Sequence, residues 1–130
     1  MASSSGNVFR AILLPSVART AANPALLSDW VDVDQYNELY AWLNVTAFAA
    51  RADETLIVTI ERQADNAAGY TTIATFTTIN STSAGSGGPG SEEETVASLI
   101  AGKIRARAVI AGTWSSKSIT FDVKMMAKSA

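Results

Sequence analysis

The sequence predicts an all-β fold, an antiparallel β-sandwich of about seven or eight strands of jelly-roll or Greek-key type, and three observations predict it. Apolar and polar residues alternate in Leu56-Ile57-Val58-Thr59-Ile60-Glu61-Arg62 and again in Ile119-Thr120-Phe121-Asp122-Val123-Lys124-Met125. Alternation with a period of two places every second side chain on one face of a strand, whereas a helix would group them at three and four. Short periodic segments are separated by stretches rich in Gly, Asn, Asp and Ser, which break strands and form turns. The stretch Tyr70 to Thr78 is dense in β-branched and aromatic residues, which suit a pleated surface.

Taken in order, Met1 to Asn7 is small and polar, and Val8 to Leu14 turns apolar before Pro15. Pro15 and Pro24 disfavour helix at the residues preceding them, so residues 1–25 read as an N-terminal arm and residues 26–130 as the sandwich domain. Fully extended, such an arm reaches about 80 Å and needs a neighbour to lie on. Removing Met1 to Asn23 is expected to leave the sandwich folded.

Leu27 to Val33 reads as a first strand and Asp34-Gln35-Tyr36-Asn37 as a turn. Glu38 to Phe48 reads as the longest strand, with Leu39, Ala41, Leu43, Val45 and Ala47 on the face expected to form the core. Tyr40, Trp42, Asn44, Thr46 and Phe48 occupy the other face, and three aromatics on a nominally solvated face ask for cover by the arm or another chain. Thr55 to Gln63 and Tyr70 to Thr78 read as a hairpin with a longer loop. Asn80 to Ser91 is low in complexity and reads as a flexible loop, and Thr95 to Ile100 reads as the next strand. Gly102 to Ile110 places Ile104, Ala106, Ala108 and Ile110 inward and Arg105 and Arg107 outward. Ile119 to Met125 closes the chain with Thr120, Asp122 and Lys124 facing water.

At 130 residues the chain is about one domain, able to bury roughly two thirds of its unfolded surface. Ten basic residues against 12 acidic ones give a net charge of −2, so no basic excess recruits nucleic acid or an anionic membrane. The run Ala11 to Leu14 is far short of a bilayer span, and it lacks the length of a secretory signal core.

No His and no Cys are present, which removes the usual base of a nucleophilic triad and every thiolate metal ligand. Glu92-Glu93-Glu94 is the densest acidic group and reads as a solvated run that keeps the adjacent loop soluble. Asp32-Val33-Asp34 and Asp65-Asn66 are too sparse for a calcium loop. The Gly85 to Gly90 stretch lacks the lysine and the following helix of a phosphate loop. No catalytic, cofactor or metal site is therefore expected, and the protein is not expected to be an enzyme. Arg105 and Arg107 share a strand face and are expected to pair with a carboxylate on the adjacent strand.

Exposed apolar and aromatic side chains are the better guide to function. Val8, Phe9, Ile12, Leu13 and Leu14 of the arm, Tyr40 and Trp42 of the long strand, and Trp114 in a turn are the expected partner-binding residues. Trp30, Trp42 and Trp114 also keep a carbohydrate-binding module in play, since aromatic platforms serve sugar binding. Tyr36 to Ala47, followed by Leu56-Ile57-Val58-Thr59-Ile60-Glu61, Ile73-Ala74-Thr75-Phe76 and Gly102-Lys103-Ile104-Arg105-Ala106-Arg107, resembles small β-sandwich virion proteins of tailed bacteriophages, over about Leu27 to Lys128. The resemblance lies in pattern and strand order, and the long Gly/Ser loop departs from it. It implies a capsid decoration (cement) protein, or another head or tail component, on the capsid surface of the virion. Its partners would be capsid subunits contacted by the arm and one sandwich edge, and the chain itself is expected to form a homo-oligomer, a trimer for preference.

Overall fold

The computed structural model describes residues 8–19, 26–48, 55–64, 68–79, 90–96, 102–111 and 119–129. Among these lie nine strands and no helix: β1 (Val8–Arg19), β2 (Leu26–Leu27), β3 (Val31–Asp32), β4 (Glu38–Phe48), β5 (Thr55–Gln63), β6 (Thr71–Thr75), β7 (Gly90–Val96), β8 (Lys103–Ala111) and β9 (Ile119–Lys128). One sheet has the order β1-β9-β4-β7 and the other β2-β8-β5-β6, with β3 also on β8. All the ladders are antiparallel.

The pairs β1 with β9, β2 with β8, β4 with β7 and β5 with β6 are those of one long hairpin rolled upon itself. This is the jelly roll, two Greek keys wrapped into a double sheet. Periodicity alone leaves jelly roll and other sandwich topologies open, and strand order decides it.

The inner faces are those the alternation predicts. Leu39, Ala41, Leu43 and Val45 of β4, Leu56, Val58 and Ile60 of β5, Ile104, Ala106, Ala108 and Ile110 of β8, and Ile119, Phe121, Val123 and Met125 of β9 are buried together. Val33 and Phe76, just outside the strands, complete the same cluster.

Four expectations are corrected. The apolar part of the arm is a strand: residues 8–19 pair with β9 from Val8↔Lys128 to Arg19↔Ile119, making β1, at 12 residues, longer than β4. Pro15 does not end it, because the register shifts between Leu14 and Val17 and Pro15 falls in that irregularity on an edge strand, where a missing N–H is tolerated. Arg19 closes over the same place. Its guanidinium donates to the carbonyls of Pro15 (2.7 Å), Val17 (3.1 Å) and Phe121 (3.0 Å) and lies 4.7 Å from the centre of the Phe121 ring.

The predicted strand over Leu27 to Val33 is two short strands. Ser28 bridges them, its N–H donating to the Ala106 carbonyl (3.0 Å) and its Oγ accepting the Ala106 N–H (2.9 Å). The strand expected over Thr95 to Ile100 begins instead at Gly90 and takes in the glutamate run, because Gly90 to Val96 find backbone partners along β4. Residues 97–100 and Asn80 to Pro89 lie outside the described residues. Asp122 does not face water: it is 5% exposed, with Oδ2 accepting a long bond from Asn44 Nδ2 (3.5 Å) and Oδ1 without a partner among the described residues.

Gly102 opens β8 with φ +144°, and a Cβ there would stand 2.4 Å from the Gln63 carbonyl oxygen. Glycine is required by both the backbone conformation and the close approach.

Leu13 and Leu14 of β1 are in the core, so deletion through Arg19 is expected to abolish cooperative unfolding rather than leave a folded sandwich. Leu14→Ala should cost about 2–5 kcal/mol in urea denaturation.

Candidate functional site

The register of the β1-β9-β4-β7 sheet sets its outer face out in rungs. Val8 lies opposite Lys128 and Lys128 opposite Glu38; Arg10 opposite Met126, Met126 opposite Tyr40 and Tyr40 opposite Thr95; Ile12 opposite Lys124, Lys124 opposite Trp42 and Trp42 opposite Glu93. Tyr40 and Trp42, two residues apart on β4, stack with ring centres 6.5 Å apart and planes at 17°. Lys128 covers Tyr40, with Nζ 5.8 Å from the ring centre and 3.7 Å from Glu38 Oε1. Arg10, Ala11, Ile12, Trp42, Lys124 and Met125 line an open groove where β1 meets this aromatic row.

Three of the five exposed large apolar side chains among the described residues lie on β1, the other two being Leu27 and Tyr70. Ile12 is 62% exposed, Val17 50% and Val8 41%. Two cations flank the groove, and neither Arg10 nor Lys124 has an ion-pair partner among the described residues.

The expected partner-binding residues therefore separate. Ile12 and Trp42 line one groove, Val8 lies four residues from Ile12 on the same face, and Tyr40 stacks on Trp42. Phe9 points to the other side and stacks on Tyr36 at 6.0 Å. Leu13 and Leu14 are core residues. Trp114 and the side chain of Phe48 lie outside the described residues.

On the second sheet, Arg105 and Arg107 do pair with a carboxylate of the adjacent strand. Glu61, 2% exposed, accepts from Arg105 Nε at 2.9 Å and lies 3.7 Å from Arg107 Nη1. The Arg105 guanidinium fills a wedge between Trp30 (4.3 Å to the ring centre) and Tyr70 (4.8 Å), whose rings are tilted by 56°. Arg107 donates to the Tyr70 hydroxyl at 3.2 Å.

This wedge was not legible in the sequence. Trp30 lies in the break between β2 and β3, and Tyr70 is 40 residues away on the approach to β6. One face of each ring holds the protein's own arginine, while Tyr70 remains 47% exposed.

Glu92 accepts the Thr77 N–H through both carboxylate oxygens (3.2 and 3.0 Å), tying β7 to the chain that follows β6. It is therefore a structural acceptor and more than a solubilising charge. Burial, then the hydrogen bond to Glu92 and its charge, raise the Glu94 pKa above the ordinary value. Asp32 is likewise used internally, its Oδ1 accepting the Asp34 N–H at 2.9 Å. Among the described residues no group of three acidic side chains is placed to hold a metal ion.

No family model matches the sequence, and no curated protein matches it in sequence. Solved structures share its fold. A chain of the infectious bursal disease virus Gx strain superposes with a TM-score of 0.58 at 9% identity, over 95% of this chain and 32% of that one. A chain of the T13 particle of the same virus gives 0.57 at 10% identity, over 95% and 31%. Its VP2 subviral particle gives 0.54 at 9% identity, over 95% and 32%. The chain spans about a third of the length of these viral chains. Identity this low shows the fold alone: a β-sandwich of the kind found in these virus particles.

Arg105→Ala leaves Glu61 buried with only the more distant Arg107, and is expected to cost about 3–5 kcal/mol. Arg107→Ala, which removes the more distant and partly exposed arginine while Arg105 still pairs with Glu61, should cost about 1 kcal/mol or less in the same urea titration. Because the folded state raises the Glu94 pKa, it binds this proton more tightly than the unfolded state does. Stability is then expected to fall as pH rises from the ordinary carboxylate range through the raised value. Glu94→Gln should remove that slope in thermal melts across weakly acidic pH.

Proposed function

We propose that this protein is a structural component of a virus particle, seated on the surface of a tailed-phage head as a decoration protein. The observation that carries the reading is the strand order, a single jelly roll with sheets β1-β9-β4-β7 and β2-β8-β5-β6, shared in fold with chains of virus particles. The absence of imidazole and thiol from the sequence agrees with a binding role.

The contact we assign to the capsid is the outer face of the β1 sheet. Val8 and Ile12 expose apolar surface there, Tyr40 and Trp42 form a stacked aromatic row beside them, and Arg10 and Lys124 supply positive charge that has no ion-pair partner among the described residues. Covering such a patch releases water from apolar surface at about 25 cal/mol per Å². The flanking cations favour an acidic neighbour and orient the encounter. Phe9, Leu13 and Leu14 serve the same contact indirectly, by fixing β1 on the sandwich. Homo-oligomerisation multiplies this contact through avidity.

The test is co-sedimentation of the purified protein with empty phage heads. Ile12→Glu, on an exposed position, should leave the thermal melt unchanged and weaken binding about tenfold or more, equivalent to ~1.4 kcal/mol. Wild-type protein that fails to sediment with heads overturns the reading. A carbohydrate-binding module would instead be retained on a glycan array, and that retention would persist in Ile12→Glu.

A further inference from the structure

Two long edges of this molecule carry opposite charge. In the order β1-β9-β4-β7 the two outermost strands each have one flank without a ladder partner among the described residues. The edges of the other sheet are too short to serve similarly: β2 and β3 have two residues each, and β6 has five with a register shift against β5. On β1 the segment Val8 to Ile12 keeps regular register with β9, and the irregularity comes only after it. Its central residue is the exposed cation Arg10, which has no ion-pair partner among the described residues. On β7, Gly90 to Val96 keep regular register with β4, and the central residue is the exposed Glu93.

An extended, apolar edge invites another strand, and proteins block such edges with charge, proline or bulges. Here the charges block only some pairings. Two copies joined β1 to β1, antiparallel over Val8 to Ile12, would set Arg10 against Arg10. Two copies joined β7 to β7 would set Glu93 against Glu93, and Glu92 against Glu94. Like charges directly opposite each other are destabilising.

The mixed pairing has neither fault. β1 and β4 run the same way and β7 runs against both, so β7 of one copy meets β1 of the next antiparallel. Val8, Arg10 and Ile12 share the outer face with Glu93 and Thr95. A register that keeps outer faces together can therefore set Arg10 opposite Glu93 and Val8 opposite Thr95, whereas a slip of one residue would turn every side chain over.

We infer that copies of this chain associate head to tail, the β7 edge of one pairing with the β1 edge of the next, with Arg10 and Glu93 selecting the partner and the register. Such an interface is heterologous, so it builds a closed ring or an open fibre and never a two-fold dimer. Every copy keeps the same sheet face on the same side, which aligns Ile12 and Trp42 across the assembly. The inference is independent of capsid binding, because it is read in solution without phage heads.

The experiment measures solution mass by light scattering across concentration for the full chain and three variants. Wild type is expected at three or more copies of the 13.6 kDa chain. Arg10→Glu and Glu93→Lys, both at exposed positions, should each weaken association at least tenfold with unchanged circular dichroism and melting. The double variant carrying both changes should recover it, since every interface then joins opposite charges; an equimolar mixture of the two single variants should recover it in fibres or even-numbered rings, where the two variants alternate and each interface joins opposite charges. A monomer at all concentrations, a strict dimer, or a mass indifferent to these charges overturns the inference.

Discussion

Everything in this sandwich hangs on the placement of β9 between β1 and β4. Its inner side chains, Ile119, Phe121, Val123, Met125 and Ala127, are all essentially inaccessible to water. Its backbone serves both neighbours, running against β1 from Lys128 to Ile119 and against β4 over the same span. The last described strand thus joins the first to the middle of the chain, and the roll closes only when it is in place. Contacts of such sequence separation carry a large loop-closure cost, which makes this a slow-folding topology. Arg19 reinforces the junction by binding the Phe121 carbonyl and covering its ring.

The two sheets answer the problem of their outer faces differently. On the β8 sheet, a buried glutamate holds two arginines, and one of these is clasped by Trp30 and Tyr70. Much of the charge is consumed internally there, although Leu27 and Tyr70 remain about half exposed. The β1 sheet leaves its counterparts open: Ile12 is mostly exposed, Trp42 borders a groove, and Arg10 and Lys124 have no ion-pair partner among the described residues. This contrast directs the functional reading to one face of one sheet, and that face belongs to the sheet whose long edges have no ladder partner among the described residues.

Much of the architecture was legible in the residues. The bounds of β4 and β5 and the buried faces of β4, β5, β8 and β9 follow from alternation, and the Glu61 pairing follows from two arginines on one strand face. The site was half legible. Ile12 and Trp42 stand out in the sequence as apolar residues in need of cover and they share a groove, whereas Leu13 and Leu14 stand out beside Ile12 in the same way and belong to the core. Pro15 misled at β1 because a proline that breaks a central strand is harmless in an edge irregularity. Gly90 and the glutamates misled at β7 because their intrinsic β preference is low, and it is the ladder with β4 that makes them a strand.

Side-chain direction along an extended chain is a local property of the backbone, so the sequence by itself determined that this protein is made of strands and which residues of most of them face inward. The identity of a strand's neighbour is not local: its N–H and C=O groups bond to residues tens of positions away. Tertiary structure alone therefore decided that the apolar N-terminal segment is an edge strand, that the roll is a jelly roll, and that a positive and a negative edge lie at opposite ends of one sheet.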